Sequence, residues 1–168
     1  MNKLYVGKVV GTHGIKGEIK VYSELEIKDK VFKENTKLYF NDSDKEYTIE
    51  QVRFHKENYL VLLKGYYNIN DVLYLNKSKV YVNRDEFLNN EEYVIDDLIG
   101  FSVVDENDSI VGVIKDYELN SSYATFLVEG DNNFYLPNVE NYVTKIDLNS
   151  KKVYTKNVGD LILWELMF

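Results

Sequence analysis

Two β-strand patterns meet around three glycines near the start of the chain, in Val6-Gly7-Lys8-Val9-Val10-Gly11-Thr12-His13-Gly14-Ile15-Lys16-Gly17-Glu18-Ile19-Lys20-Val21. Gly11, Gly14 and Gly17 stand at every third position. Glycine is used where φ must be positive or where another group approaches the backbone closely. A simple hairpin needs a loop of only about two to five residues. We therefore expect a longer, bent or mobile loop that presents His13 and Lys16 to solvent.

Two interpretations of this loop remain open from the residues alone. Glycine-rich connections between strands are common, and His13 can simply hydrogen-bond within its own loop. Loops nevertheless carry function more often than cores do. The spacing matches neither G-x-G-x-x-G nor G-K-[ST], so it is not that of the known nucleotide loops. The loop is either a plain connection or a contact surface for a partner.

The stretch resembles the opening of the RimM family of bacterial ribosome maturation factors, which are 16S rRNA processing proteins. The family pattern runs G-x-I-V-G-P-H-G-I-R-G-E-V-K-V, and residues 7–21 follow it. Thr12 replaces the usual proline, and Lys16 replaces an arginine, which keeps the charge but loses the planar two-donor fork. The resemblance implies ribosome or RNA binding by this loop, through Gly11, Thr12, His13, Gly14, Lys16 and Gly17.

Two further stretches carry the same resemblance. Glu92-Tyr93-Val94-Ile95-Asp96-Asp97-Leu98-Ile99-Gly100 resembles E-Y-Y-x-x-D-L-I-G, which opens the family's C-terminal PRC-barrel domain. Residues 133–148 are similar to the family's L-I-P-F-V and V-x-x-V-D-L segments. The E-Y-Y motif implies contact with a ribosomal protein of the small-subunit head, here through Tyr93, Val94 and Asp97. Val94 stands at the second tyrosine, so one aromatic anchor is missing.

The composition indicates a folded, soluble protein of the cytoplasm. The 168 residues are 45% hydrophobic and include one proline and no cysteine. Without cysteine there are no disulfides, thiol catalysis or Cys-zinc sites. No apolar run is long enough to cross a bilayer, and the start of the chain lacks the apolar region of a signal peptide. We expect no membrane partner.

The charge is distributed unevenly, although the chain as a whole carries −8. Residues 1–84 hold 15 basic and 11 acidic side chains, a net charge of +4. Residues 85–168 hold 5 basic and 17 acidic side chains, a net charge of −12. Such an asymmetry suggests different partners for the two halves, phosphate for the first and a basic protein for the second. An acidic surface can also serve solubility alone.

Strand patterns dominate the first half and predict a small closed barrel. The strands are expected at residues 4–10, 18–22, 37–40, 47–54, 58–63 and 79–82. Residues 68–75 are expected to form a short helix capped by Asn68. Asn83 to Glu92 is polar and acidic, which predicts a domain 1–84, a linker 85–92 and a second domain 93–168.

The second half shows the same pattern of short strands separated by turns, so the whole chain is predicted to be all-β, with two small β-barrels. Its strands are expected at residues 102–104, 110–119, 125–128, 134–136, 143–147 and 152–154. The resemblance implies a translation-factor-like first barrel and a PRC second barrel. The apolar residues 161–168 are expected to fold back over the second barrel as a strand or short helix, or else to form an interface.

Little in the sequence supports catalysis. The two histidines, His13 and His55, lie far apart and outside metal-binding spacings. Asp96 and Asp97 are adjacent, so in a strand they would face opposite sides, and one of them is expected to cap the turn into Leu98. Most of the 15 tyrosines and 8 phenylalanines are interpreted as structural. We expect no enzyme activity, cofactor, metal or small-molecule substrate.

The resemblance implies a monomeric ribosome biogenesis factor. Its expected partners are the maturing small ribosomal subunit, ribosomal RNA and a basic ribosomal protein of the subunit head. It would assist late assembly of the head and processing of the rRNA without catalysis. Two alternatives are the barrel substrate domain of an RNA-metabolism enzyme and a generic PRC-domain scaffold. A bound metal or a pocket of converging acids would favour the enzyme, and indifference to small-subunit particles would favour the scaffold.

Overall fold

The structure is a computed structural model that describes residues 1–167, with side chains described for residues 1–162. Its contacts divide the chain into two compact units, Met1–Glu92 and a second unit that starts at Tyr93. Regular structure in both units is mainly β. The all-β class expected from the strand patterns is confirmed.

Six antiparallel strands close the first unit into a barrel. They are β1 (Lys3–His13), β2 (Glu18–Tyr22), β3 (Lys37–Phe40), β4 (Tyr47–His55), β5 (Asn58–Leu63) and β6 (Lys79–Asn83). The strand order around the barrel is β1-β2-β5-β4-β3-β6. Because the barrel is closed, every strand has a neighbour on both sides and no edge is left open to other chains.

The long strand β1 changes its inward face part-way along. Leu4 and Val6 are buried two positions apart, as expected in a strand. The next hydrophobic side chain of the core, Val9, lies three positions further on. The pairing with β6 shifts between Tyr5 and Gly7, and this bulge accounts for the change. A Cβ atom on Gly7 would lie 2.5 Å from a carbonyl oxygen of β2, so the bulge also requires glycine.

The helical segments of the first unit differ in part from expectation. The predicted helix at residues 68–75 is two 3₁₀ turns, Ile69–Asp71 and Leu73–Leu75. The expected cap is confirmed, since the Asn68 side chain accepts a hydrogen bond from the backbone N–H of Asn70 at 2.9 Å. Val72 interrupts the helix because its φ of −124° lies outside the helical range. A further one-turn helix, α1 (Lys28–Val31), was not expected.

The second unit is a six-stranded sheet over one apolar core. Its strands are β7 (Ser102–Val104), β8 (Ile110–Leu119), β9 (Ala124–Glu129), β10 (Phe134–Pro137), β11 (Val143–Asp147) and β12 (Lys152–Thr155). Their hydrogen-bonded order is β10-β9-β8-β7-β12-β11, and only β12 and β7 are parallel. The ladder therefore ends at β10 and β11. Phe126, Phe134 and Leu136 are among the fully buried side chains of the core.

The apolar C-terminal segment forms α2 (Val158–Met167), which packs against β10. Val158 is buried, and Leu161 and Ile162 pack against the core of the second unit. Self-packing as a short helix is thus confirmed for the described part of this segment, and Phe168 lies outside the described residues. Among residues 1–167, no helix has the length and apolar character needed to cross a bilayer.

The connection after β6 is anchored on the first unit at its start. Residues Arg84–Glu86 form a 3₁₀ turn, and Phe87 and Leu88 behind it are buried. The Lys30 ammonium donates a hydrogen bond to the backbone carbonyl of Phe87 at 2.8 Å. The polar residues that follow, 89–93, lead into the second unit.

Candidate interaction surfaces

The glycine-rich connection is shorter than the three-glycine loop expected from its sequence. β1 runs on to His13, which pairs with Glu18, so only residues 14–17 form the turn. Gly11 lies inside β1 at a register shift next to Val9, and Thr12 pairs with Ile19. The bulge allows the strand to continue past Gly11. Gly11 and Thr12 are therefore strand residues, which corrects their assignment to the loop.

The turn is bent as expected, and contacts with residues 66–69 restrain it. Gly14 has a φ of 65°, and Gly17 has a φ of 98°. A Cβ on Gly17 would collide with the backbone carbonyl oxygen of Tyr66. The Ile69 N–H also donates a hydrogen bond to the Ile15 carbonyl at 3.0 Å. Both contacts brace the turn against residues 66–69.

Lys16 is the exposed cation of the turn. It lines a groove of about 420 Å³ together with Glu18, Glu34 and Arg53. The Arg53 guanidinium donates to both carboxylate oxygens of Glu18, at 3.2 and 3.1 Å. These hydrogen bonds raise the pKa of Arg53 above its usual value. Arg53 is thus held in an ion pair, whereas Lys16 has no ion pair among the described residues and is available to an anion.

His13 does not point freely into solvent. It is half-buried, and its ring lies 5.6 Å from that of His55, centroid to centroid, at an interplanar angle of 63°. The sequence offered no signal for this pair, because it depends on barrel closure and on the extension of β4 to His55. Within residues 1–167 no group of three or more His, Cys, Asp or Glu side chains is arranged to hold a metal ion.

Tyr93 lies on a second surface, at the start of the second unit. It is half-buried and packs against the apolar core of that unit. It also lines an open groove of about 430 Å³, which we call the Tyr93 groove. The other lining residues are Asn138, Val139, Glu140, Val143, Thr144, Lys145 and Ile146. The groove therefore brings together the 92–100 and 133–148 stretches that carried the sequence resemblance.

Val94 and Asp97 position Tyr93 and offer little surface themselves. Val94 is 1% exposed, so it presents no side chain to a partner, which corrects its assignment as a contact residue. The Asp97 carboxylate accepts a hydrogen bond from the Val94 N–H at 2.9 Å. The Asp97 N–H in turn donates to the Val94 carbonyl at 3.0 Å. Asp97 thus caps the 3₁₀ turn Ile95–Leu98, as expected for one of the two aspartates.

The Tyr93 groove is itself nearly neutral in charge. It contains one carboxylate, Glu140, and one ammonium, Lys145. The Lys145 ammonium lies 5.8 Å from the centre of the Tyr154 ring. The other acidic side chains of the second unit lie outside the groove lining. The groove itself therefore offers apolar and aromatic contact area without an excess of charge.

Comparison with known families covers both units. The family model for the RimM N-terminal domain matches residues 4–87. The model for the RimM PRC barrel domain matches residues 95–161. This chain belongs to the RimM family.

Relatives in this family match the chain over most of its length. A ribosome maturation factor RimM from Staphylococcus aureus (strain bovine RF122 / ET3-1) is 34% identical over 157 residues, covering 90% of this chain and 93% of that protein. The protein of the same name from S. aureus strain JH9 is 33% identical with the same coverage. The family assignment therefore applies to the two units together.

Two solved RimM structures are also similar. The crystal structure of a 16S ribosomal RNA processing protein RimM from Pseudomonas aeruginosa has a TM-score of 0.43 and 21% identity, covering 95% of this chain and 99% of that one. The solution structure of the N-terminal domain of RimM from Thermus thermophilus has a TM-score of 0.44 and 17% identity, covering 53% of this chain and 98% of that one.

The two turn glycines offer a matched test of the brace. Gly17→Ala should lower the free energy of unfolding by about 2–4 kcal/mol, because it combines a positive φ with a backbone collision. Gly14→Ala has a positive φ but nothing within 4 Å of the new Cβ, so it should cost only about 1 kcal/mol. Urea unfolding of the full chain measures both. Equal losses would show that residues 66–69 do not brace the turn.

The cap at Tyr93 can be tested with its neighbouring aspartates. Asp97→Ala should destabilise the protein by about 0.5–2 kcal/mol, since the Val94 N–H loses its acceptor. Asp96 is exposed and accepts only a long 3.4 Å contact from Tyr117, so Asp96→Ala should change stability by no more than about 0.5 kcal/mol. Thermal unfolding of both variants measures the two changes in stability. A larger effect of Asp96→Ala would be evidence against the cap.

Proposed function

We propose that this chain binds the maturing small ribosomal subunit and assists late assembly of its head and processing of its rRNA, without a catalytic step of its own. The observation that carries the proposal is the match to ribosome maturation factor RimM over 90% of the chain and 93% of the relative. Both units are included in that match, so the proposal assigns a binding task to each.

The turn of the first unit supports an RNA-binding role. Lys16 is exposed beside a groove and has no carboxylate partner among the described residues. An ammonium group offers a phosphate a point charge with three hydrogen-bond donors. The brace from residues 66–69 holds the turn in one position, which lowers the entropy lost on binding. Residues 1–84 carry a net +4, but Asp85, Glu86, Glu91 and Glu92 make the whole first unit, Met1–Glu92, neutral, so we expect it to attract RNA only weakly and in a salt-dependent way.

The second unit supports binding to a basic ribosomal protein of the subunit head. Residues 85–168 carry a net −12, of which the second unit itself, from Tyr93 onward, carries −8 (5 basic and 13 acidic side chains), and this charge repels phosphate and attracts cationic surfaces. Tyr93 supplies an aromatic side chain at the edge of an open groove, and tyrosine is enriched among residues that dominate binding energy. Val94 and Asp97 contribute indirectly, because the hydrogen bond between them holds the backbone next to Tyr93.

We further propose that residues 1–84 and 93–168 are two binding domains joined by the 85–92 connection. In this view a single monomer reaches RNA with one domain and protein with the other, in the cytoplasm. Joining two weak contacts in one chain raises the effective concentration of the second once the first has formed. Neither contact then needs to be tight by itself.

The RNA-binding role is tested by Lys16→Ala. The side chain is exposed, so stability should change by no more than about 0.5 kcal/mol. Cells that carry only this variant should nevertheless accumulate precursor small-subunit rRNA. Lys156→Ala removes an exposed lysine of the second unit and serves as the matched control. Normal rRNA processing in a stable Lys16→Ala protein would mean that the turn is only a connection.

The protein-binding role is tested at Tyr93. Tyr93→Leu keeps apolar contact with the core but removes the ring and hydroxyl. It should weaken binding to the basic head protein by about 1–3 kcal/mol in calorimetry. Tyr135→Leu is the control, because Tyr135 is 44% exposed on β10 and does not line the Tyr93 groove. Unchanged affinity of a folded Tyr93→Leu protein would remove Tyr93 from the interface.

A further inference from the structure

A cluster of aromatic rings lies beside the turn, on the first unit. We call it the tyrosine cluster; it consists of Tyr47, Tyr66 and Tyr74, with Lys45. The Tyr47 and Tyr66 ring centroids are 5.3 Å apart. The hydroxyl oxygens of Tyr47 and Tyr74 are 2.7 Å apart and share a hydrogen bond. The Lys45 ammonium lies 5.0 Å from the Tyr47 ring centre and 5.7 Å from that of Tyr66.

Exposure increases across the tyrosine cluster from its base to its outer ring. Tyr47 is 5% exposed, whereas Tyr74 is 60% exposed. The Tyr74 hydroxyl is nevertheless tied to the Tyr47 hydroxyl at the base. Burial of this end raises the pKa of Tyr74, and the hydrogen bond with Tyr47 raises it further, so the phenol stays neutral. The cluster therefore holds one aromatic ring in a fixed position with most of its surface open.

The backbone of the tyrosine cluster comes close to the turn at Tyr66. The backbone carbonyl of Tyr66 is the group that leaves no room for a side chain on Gly17. Lys16 precedes Gly17, and Lys64 lies two residues before Tyr66. Both lysines are exposed, whereas the cation that lies against the rings is Lys45.

We propose that the tyrosine cluster is a stacking site for unpaired RNA bases, with Tyr74 as the stacking ring and Lys45 as the cation for a neighbouring phosphate. This inference rests on the RNA-binding role proposed above and specifies that the first unit binds unpaired RNA. Every base has a π-face, so stacking on tyrosine accepts any sequence. The fixed ring has little rotational freedom left to lose when a base stacks on it.

The position of Lys45 favours RNA over a protein as the occupant. The centre of a protein–protein interface is depleted in charged residues. Here an ammonium group lies over two of the rings, and its hydrogen bond with Tyr66 raises the pKa of Lys45, which keeps it charged. Aromatic rings combined with cations are the usual composition of single-strand binding surfaces. A duplex hides its base faces in its own stack, so only unpaired RNA can use the ring.

The test uses the full chain and two probes, a short fluorescein-labelled RNA without self-complementarity and the duplex it forms with its complement. Fluorescence anisotropy gives the affinity of each. Tyr74→Leu should weaken single-strand binding by about 5- to 150-fold, the range found when a stacked aromatic is removed. Duplex binding should stay unchanged. Tyr74→Phe keeps the ring but loses the hydroxyl that fixes it, so it should weaken single-strand binding less than Tyr74→Leu does. Tyr135→Leu should match the unaltered chain on both probes.

A second measurement addresses Lys45. Lys45→Gln should reduce the slope of log affinity against log salt by about 0.7 for the single strand, the value of one released phosphate contact. An unchanged slope would overturn the assignment of Lys45 to a phosphate. Circular dichroism melting confirms that each variant is folded before its affinity is compared.

The outcomes separate this inference from the proposed function. Equal weakening of single-strand and duplex binding by Tyr74→Leu, or no weakening of either, would overturn the stacking site while leaving RNA binding by the first unit in place. Absence of binding to both probes by the unaltered chain would overturn the stacking site and the RNA-binding role together. Loss of head-protein binding in Tyr74→Leu, with RNA affinity unchanged, would reassign the cluster to a protein partner.

Discussion

The close approach of two backbone segments, at Gly17 and Tyr66, is the constraint on which the proposed binding surface of the first unit depends. No side chain fits between Gly17 and the Tyr66 carbonyl, and a second link joins Ile15 to Ile69. Together they convert a glycine-rich turn, which would otherwise sample many conformations, into a fixed projection. Tyr66, whose carbonyl closes on Gly17, also contributes its ring to the tyrosine cluster. Lys16 is next to Gly17 in the chain, so the turn and the cluster are joined through the backbone at this point.

Local pattern predicted most of the strands, because alternation of apolar side chains is a local property of the sequence. β2, β3 and β5 begin and end at the expected residues. β1 was predicted to stop at Val10 but continues to His13, since its two bulges arise from pairing with neighbours on both sides. Such pairing depends on partners far away in the sequence. The same reason explains why the turn was expected to be longer and looser than it is.

In the candidate surfaces, too, features that depend on neighbouring residues could be predicted, and features that depend on distant contacts could not. The cap by Asp97 could be predicted, because it links residues only three positions apart. The burial of Val94 could not, since it depends on how the core of the second unit closes over it. The contact between His13 and His55, and the hydrogen bond between Tyr47 and Tyr74, join residues on different strands and turns. No spacing rule in a single sequence reports such contacts, so both were missed.

The distribution of ion pairs bears on how strongly the first unit can attract RNA. Several of its cations are already matched with carboxylates: Lys3 with Asp44, Lys37 with Glu46, and Arg53 with Glu18. Exposed pairs of this kind add little stability, but they cancel the long-range field that would draw in a polyanion. Residues 1–92 hold 15 basic and 15 acidic side chains, so an RNA-binding surface on this unit must rely on short-range contacts such as stacking. Short-range contacts are also less weakened by salt than long-range attraction is. With the proposed stacking site and the Tyr93 groove, the chain would bind selectively, without the tight, unselective hold of a strongly basic protein.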